Sequence, residues 1–291
     1  MRSEQEILDL ILKFSHQHDQ IRVVVLNGSR ANPVVPRDPF QDYDVLCLVT
    51  DVKPFIRNPD IPPYFGEILI LQTPDELGDS SAQGSGHYAY LMQFMDGNRI
   101  DLSFFSLELI DQVLPDSLTV LLLDKDNRLS PLPSPSDHDY LPKKPTATAF
   151  ADCCNEFWWV CPYAAKGLWR NEPTYALSAR ETLLRPQLIK MLTWYFGIQT
   201  DFQKAPGKFA KYLRDGIGKD MWQSLLATYS DAQGENVWKS IFLMCDLFRL
   251  AAHHVARVFE FEYIEQEDNN VTAFLRRIRA MPPDAQSIPH P

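Results

Sequence analysis

Hydrophobic positions change their period twice along the chain. In "SEQEILDLILKFSHQH", Ile7, Leu10, Ile11 and Phe14 recur at helical spacing, and Ser3 stands as an N-cap with Glu6 three residues on, which predicts an opening helix. The period then shortens. "IRVVVL", "YDVLCLVT", "YFGEILIL", "RIDLSFFSL" and "LTVLLLDKDN" are apolar runs bounded by turn residues and read as strands, with a short helix expected around "GHYAYLMQFM", between the third and the fourth. From Leu129 to Pro145 the sequence "LSPLPSPSDHDYLPKKP" is dense in Pro and Ser and poor in packing residues, the signature of a linker. Beyond it the helical period returns in "TATAFADCCNEFWWVCPYAAKGLWRN", "PTYALSARETLLRPQLIKMLTWYFG", "GKDMWQSLLATYS" and "ENVWKSIFLMCDLFRLAAHHVARVFEFEY", each with a long apolar face. From about Glu265 the chain is charged and then Pro-rich, and its end is expected to be loosely held.

This order of elements predicts an α+β architecture: a mixed sheet flanked by helices, followed by a helical bundle. The expected divisions are 1–135, 136–265 and a tail at 266–291. No run of eighteen apolar residues is present, and "MRSEQEILDLILKF" is too acidic and amphipathic for a signal peptide, so a cytoplasmic protein without a membrane partner is expected, a monomer or weak dimer. Cys47, Cys153, Cys154, Cys161 and Cys245 show neither disulfide nor zinc-site spacing and read as reduced, buried thiols. The net charge of −10 is unevenly spread: residues 1–150 hold 12 Lys+Arg against 22 Asp+Glu, and the remainder 16 against 16. An acidic first half argues against a nucleic-acid groove and favours cations, either a metal ion or a cationic small molecule, although an acidic surface with no partner accounts for the same imbalance.

The chemistry concentrates in "VVVLNGSRANPVVPRDPFQDYDVLCLV", Val23 to Val49. A strand that runs into Gly28-Ser29 and a helical turn points backbone N–H groups and a hydroxyl at one spot, a common way to cradle phosphate. Thirteen residues after Ser29 the chain returns as Asp42-Tyr43-Asp44, and in an extended segment these two carboxylates share a face. Side by side they repel unless something positive lies between them, and a divalent metal is the usual solution. Asp101, in the strand "GNRIDLSFF", adds a third carboxylate if its strand pairs beside the one that begins at Asp42, enough to hold two Mg2+ for an in-line displacement at phosphorus; alone, it also fits a strand-end turn.

The pattern "LNGSR…QDYDV…RIDL" resembles nucleotidyltransferases of the polymerase beta type. With "MRSEQEI", "VLLLDKD", "KKPTATAFADCCNEFWWV", "AKGLWRNE", "RPQLIKMLTWYFG" and "GKFAKYL", the chain is similar to the aminoglycoside 6-adenylyltransferase (streptomycin adenylyltransferase) family over residues 1 to about 260. The resemblance implies an N-terminal nucleotidyltransferase domain and a C-terminal substrate-binding domain. It also implies transfer of AMP from ATP to a hydroxyl of a cationic aminoglycoside, with release of pyrophosphate. Carried onto this chain, Gly28 and Ser29 would hold the triphosphate with Arg30 nearby, Asp42 and Asp44 would bind the metals, and Asp101 would complete the metal site and accept the hydroxyl proton.

The helical half would supply the other wall of the cleft. Glu156, Trp159, Tyr163, Lys166 and Arg170 recur every three or four residues and share a face. Lys166 is a candidate phosphate contact, and Glu156 a candidate contact to ammonium groups or a second base; a charge-decorated solvent face over packed aromatics fits the same spacing. Lys208 and Lys211, at an expected helix start after Pro206-Gly207, reach toward the triphosphate or are surface lysines. His253-His254 and Trp158, Trp194, Trp222 and Trp238 read as structural. The resemblance departs at Ala176-Leu177-Ser178-Ala179, where the family carries an acid that Ser178 does not replace. The alternatives are the same chemistry on another hydroxylated acceptor, and a nucleotide-binding module without turnover.

Overall fold

The structure, a computed structural model, describes residues 1–78, 86–114, 116–129 and 131–288. They divide into two compact units, Met1–Asp139 and Tyr140–Pro291, with the boundary inside the Pro/Ser-rich stretch. No helix among the described residues is long and apolar enough to cross a membrane.

The first unit opens with helix α1 (Glu4–Gln17), which begins at the expected capping box between Ser3 and Glu6. Strand β1 (Ile21–Asn27) runs into the single turn α2 (Gly28–Ala31), and β2 (Tyr43–Val49) follows after the Pro-rich loop. Then come α3 (Ile61–Phe65), β3 (Ile68–Gln72), β4 (His87–Phe94), β5 (Arg99–Ser106), α4 (Ile110–Val113) and β6 (Val120–Asp124). The strands form one sheet in the order β3-β4-β5-β2-β1-β6. Every neighbouring pair is antiparallel except β2 and β5, which run parallel.

Two segments of the first unit differ from expectation. The segment "GHYAYLMQFM" is not a helix: Tyr88, Tyr90, Met92 and Phe94 alternate into the core from β4, a period of two that a helix does not satisfy. In "YFGEILIL", Tyr64 and Phe65 end α3, Gly66 turns the chain at φ +141°, and the strand begins at Ile68.

The sheet has unequal faces. On one, Ile7, Ile11 and Phe14 of α1 pack with Val24, Leu26, Val45, Cys47, Leu102 and Phe104 in a large core. On the other, Val23, Val25, Leu46, Leu48 and Leu114 make a small one. Alternation along β2 and β5 assigns Asp44 to the face of Leu46 and Leu48, and Asp101 to the face opposite Ile100 and Leu102. The polar site therefore shares the face with the smaller apolar core.

The second unit is helical, as expected: α5 (Ala147–Trp169), α6 (Pro173–Ala179), α7 (Arg185–Gln199), α8 (Arg214–Ile217), α9 (Lys219–Ala227), α10 (Gly234–Phe259) and α11 (Glu265–Ala280). Its core runs from Phe150 to Ile278 and includes the Phe157–Phe248 ring stack at 3.8 Å. Trp158, Trp194 and Trp238 are buried and Trp222 is partly buried, all packing into this core. The segment expected as a loose tail from 266 is instead α11 through Ala280. Glu265, Arg276 and Arg279 are exposed, Leu275 and Ile278 are buried, and the buried Asp268 accepts hydrogen bonds from Arg249 (2.6 Å), Tyr263 (2.8 Å) and Thr272 (3.0 Å). Burial alone would raise the Asp268 carboxyl, but Arg249, Tyr263 and Thr272 outweigh it and hold it below the usual range.

All five cysteines are free and buried. Burial pushes the Cys153 thiol up to about 12 and raises Cys47, Cys154 and Cys161 as well.

Candidate active site

The site is built at the end of β1 and the start of β2 and β5. In the antiparallel pair Asn27 lies opposite Asp44, and in the parallel pair Asp44 lies beside Asp101, so three neighbouring strands bring Gly28, Asp44 and Asp101 to one corner of the sheet. Gly28 has φ +73°, a conformation that costs an L side chain, and a Cβ there would lie 2.1 Å from Asp44 Oδ2. The Gly-Ser turn thus needs glycine for its backbone angle and for the carboxylate seated against it.

The loop between the turn and Asp42 is braced by Arg30, whose side chain is 7% exposed. Its guanidinium donates to the Gln41 carbonyl (2.9 and 3.2 Å) and to Glu4 Oε2 (3.1 Å), and lies 3.8 Å over the Tyr43 ring. Arg30, the residue expected near the triphosphate, makes contacts that fix the residues on either side of Asp42. Gln41 Nε2 donates to the Ser29 carbonyl at 3.3 Å, which ties the turn to the returning strand.

A residue that the sequence reading passed over completes the corner. Arg99 precedes Asp101 by two on β5 and shares its face. Its Nε and Nη2 donate to the two carboxylate oxygens of Asp101, each at 2.8 Å, and Nε lies 3.6 Å from Asp42 Oδ2. The hydrogen bond to Asp101 above all, then the charges of Asp101, Asp42 and Asp44, raise the Arg99 guanidinium above its ordinary range. The signal for Arg99 was present in strand alternation, which places Arg99 and Asp101 side by side.

Among the described residues no three Asp, Glu, His or Cys side chains are gathered closely enough to hold a metal ion between them. The donor set nevertheless suits a hard divalent cation, since Asp42, Asp44 and Asp101 offer oxygen alone. The buried Asn27 Oδ1 and Gln41 Oε1, next in sequence to Gly28 and Asp42, have no hydrogen-bond partner among the described residues, and each would accept from a bound ligand or water.

In the second unit the expected face of α5 is outward. Glu156, Lys166 and Arg170 are exposed, Trp159 is 64% exposed, Trp159 Nε1 donates to the Tyr163 hydroxyl at 3.1 Å, and Lys166 Nζ lies 5.8 Å from the Tyr163 ring centre. Lys208 and Lys211 are exposed as well, at the start of a tight 3-10 turn (Lys208–Ala210) and just after it, and not at a helix start, because Phe209 at φ 56° breaks the helical path. His253 pairs with Glu265 at 3.5 Å and His254 with Gln199 at 3.1 Å.

Ser178 is exposed. The next acid along the run is Glu181, in a π-helical turn (Arg180–Leu184) that the sequence reading missed. Glu181 Oε1 accepts from Arg180 (2.8 Å) and Arg185 (2.9 Å), both buried, and its Oε2 accepts from Arg185. Burial pulls the Glu181 carboxyl up, and the two arginines more than offset it, leaving it below its ordinary range.

Similarity to known proteins runs through both units. The family model described as Streptomycin adenylyltransferase matches residues 1–278. The chain is similar to the aminoglycoside 6-adenylyltransferase of Campylobacter jejuni, 39% identical over 264 residues that cover 90% of this chain and 91% of that protein. It is also similar to those of Bacillus subtilis (35% over 280 residues; 96% and 98%) and Staphylococcus aureus (34% over 278 residues; 95% and 98%). Matches of this extent, together with the glycine turn and strand carboxylates above, show a nucleotidyltransferase enzyme, and the chain belongs to the streptomycin adenylyltransferase family.

Proposed function

We propose that the protein transfers AMP from ATP to a hydroxyl of a cationic aminoglycoside of the streptomycin type and releases pyrophosphate. The observation that carries this reading is the pairing of Asp44 with Asp101 on parallel strands, with Asp44 seated against Gly28. The names of the relatives support the acceptor class.

In this reading the Gly28-Ser29 turn offers its N–H groups and the Ser29 hydroxyl to the triphosphate. Asp42, Asp44 and Asp101 are the residues that would hold Mg2+, which when bound would supply neutralisation of phosphate charge and polarisation of the α-phosphate. The acceptor oxygen bonds to the α-phosphorus as the bond to the β-phosphate oxygen breaks, and the electron pair leaves with pyrophosphate. An Asp101 oxygen takes the hydroxyl proton. Little else is asked of the protein, since positioning and charge neutralisation account for most of such a transfer.

On the second unit, Glu156 is the group we assign to the acceptor's cations, with the exposed Trp159 ring and the half-buried Tyr163 ring as apolar support. Lys166, Lys208 and Lys211 are exposed cations suited to phosphate. Glu181 is a poorer candidate for the acceptor, because both its oxygens are held by arginines.

The test is mass spectrometry of streptomycin after incubation with the purified protein, ATP and Mg2+, with Asp44→Asn as control. A gain of one AMP unit with the wild type alone supports the reading. An unmodified antibiotic alongside tight ATP binding refutes the acceptor, and an active Asp44→Asn refutes the metal assignment.

A further inference from the structure

We infer that Arg99 is a built-in counter-charge for the metal-binding carboxylates: it holds Asp42 and Asp101 together before a divalent cation enters, and is exchanged for that cation. The inference rests on the proposed reading of Asp42, Asp44 and Asp101 as metal ligands and adds a positioning residue to it.

The geometry is specific. Asp101 lies on β5 and Asp42 immediately precedes the neighbouring β2, and the same guanidinium edge faces both: Nε is 2.8 Å from Asp101 Oδ1 and 3.6 Å from Asp42 Oδ2. Nη2 takes the remaining Asp101 oxygen at 2.8 Å. Carboxylates placed this close repel, and a cation between them offsets the repulsion. Arg99 occupies both Asp101 oxygens, so a metal ion cannot use either in full while this two-pronged bond stands. Entry of the ion is therefore a displacement. The side chain is 39% exposed and sits on a strand end, so it can swing aside without opening the core.

Displacement also explains what a permanent arginine is doing among metal ligands. A freed guanidinium at the same corner is a ready partner for a polyphosphate, since Arg forms two-pronged bonds to phosphate as it does to carboxylate. Metal alone must break the Arg99–Asp101 bond with no replacement, whereas metal arriving with a nucleotide gives Arg99 new acceptors. The two ligands are then thermodynamically coupled through this one side chain.

The experiment measures Mn2+ binding to the full chain by electron paramagnetic resonance, first with Mn2+ alone and then with a non-hydrolysable ATP analogue, for the wild type, Arg99→Gln, Arg99→Lys and Asp44→Asn. Removal of the competing cation is expected to tighten Mn2+ binding by about fivefold in Arg99→Gln, with Arg99→Lys between it and the wild type. The enhancement of Mn2+ affinity by the analogue is expected to shrink by a similar factor in Arg99→Gln. Unchanged or weaker Mn2+ binding in Arg99→Gln, with the wild type binding Mn2+ and Asp44→Asn failing to, overturns the role of Arg99 alone. If no form binds Mn2+, or Asp44→Asn binds it as well as the wild type, the carboxylate assignment falls, and the Arg99 inference falls with it.

Discussion

At Gly28 two demands meet on one residue, a backbone angle of φ +73° and room for Asp44 Oδ2 at 2.1 Å from where a Cβ would stand. Gly28→Ala should therefore damage chemistry more than stability. The strained angle costs about 1–2 kcal/mol, while displacement of Asp44 by an ångström or so should lower turnover by roughly a hundredfold. Pyrophosphate release and urea denaturation, run on the same variant, check this; turnover within threefold of the wild type would remove Asp44 from the reaction. At this scale the sequence was readable where chemistry is local. The Gly-Ser turn and the Asp-x-Asp pair stand out because spacing alone sets their geometry. The bracing contacts of Arg30 do not, because its partners Glu4 and Gln41 lie 26 and 11 residues away and only the folded chain brings them together. Arg99 was overlooked for another reason: its role depends on which strand lies beside β5, and that pairing has no local signature.

Among the elements, α11 shows how a charged sequence becomes part of a core. Its buried Asp268 is gripped by Arg249, Tyr263 and Thr272, and removal of its charge leaves the half-buried Arg249 with the exposed Asp246 in place of a buried carboxylate. Asp268→Asn is expected to cost about 3 kcal/mol at neutral pH. The carboxyl is held below its usual range in the folded protein, so its contribution is complete above the unfolded value near 3.9 and fades as the pH falls through the lower, folded value. The wild type and Asp268→Asn should accordingly converge in stability below about pH 4, as followed by tryptophan fluorescence in denaturant; a gap that persists undiminished at pH 2.5 would show that the charge is not its source. The capped first helix and the long helices were legible because period and cap agree. The strand β4 was not, since "GHYAYLMQFM" is apolar on nearly every position and only burial reveals which residues alternate. The π-helical turn escaped for a similar reason: Arg180 and Arg185 look like surface residues until Thr228, Ser230 and Ser240 are seen to receive them.

For the whole molecule, the division at Asp139 and Tyr140 falls in the stretch that composition marked as a linker, and each unit has its own apolar core. Limited trypsin digestion should therefore cut first at Arg128, just before that stretch, and at Lys143 near its end, both exposed, and leave two fragments that each keep the circular dichroism of their unit. Early cleavage within α5 or α10 would show instead that the helical unit is not self-supporting. The one parallel pairing in the sheet has a further consequence. Parallel neighbours cannot be joined by a tight turn, and everything from Thr50 to Asn98 intervenes between β2 and β5. A nascent chain that has made α1, β1 and β2 already owns the glycine turn and Asp44, yet Asp101 reaches its neighbour only after the far half of the sheet is laid down. Topology thus puts assembly of the catalytic corner among the slow, late events of folding, and competence for chemistry reports that β5 has been docked beside β2.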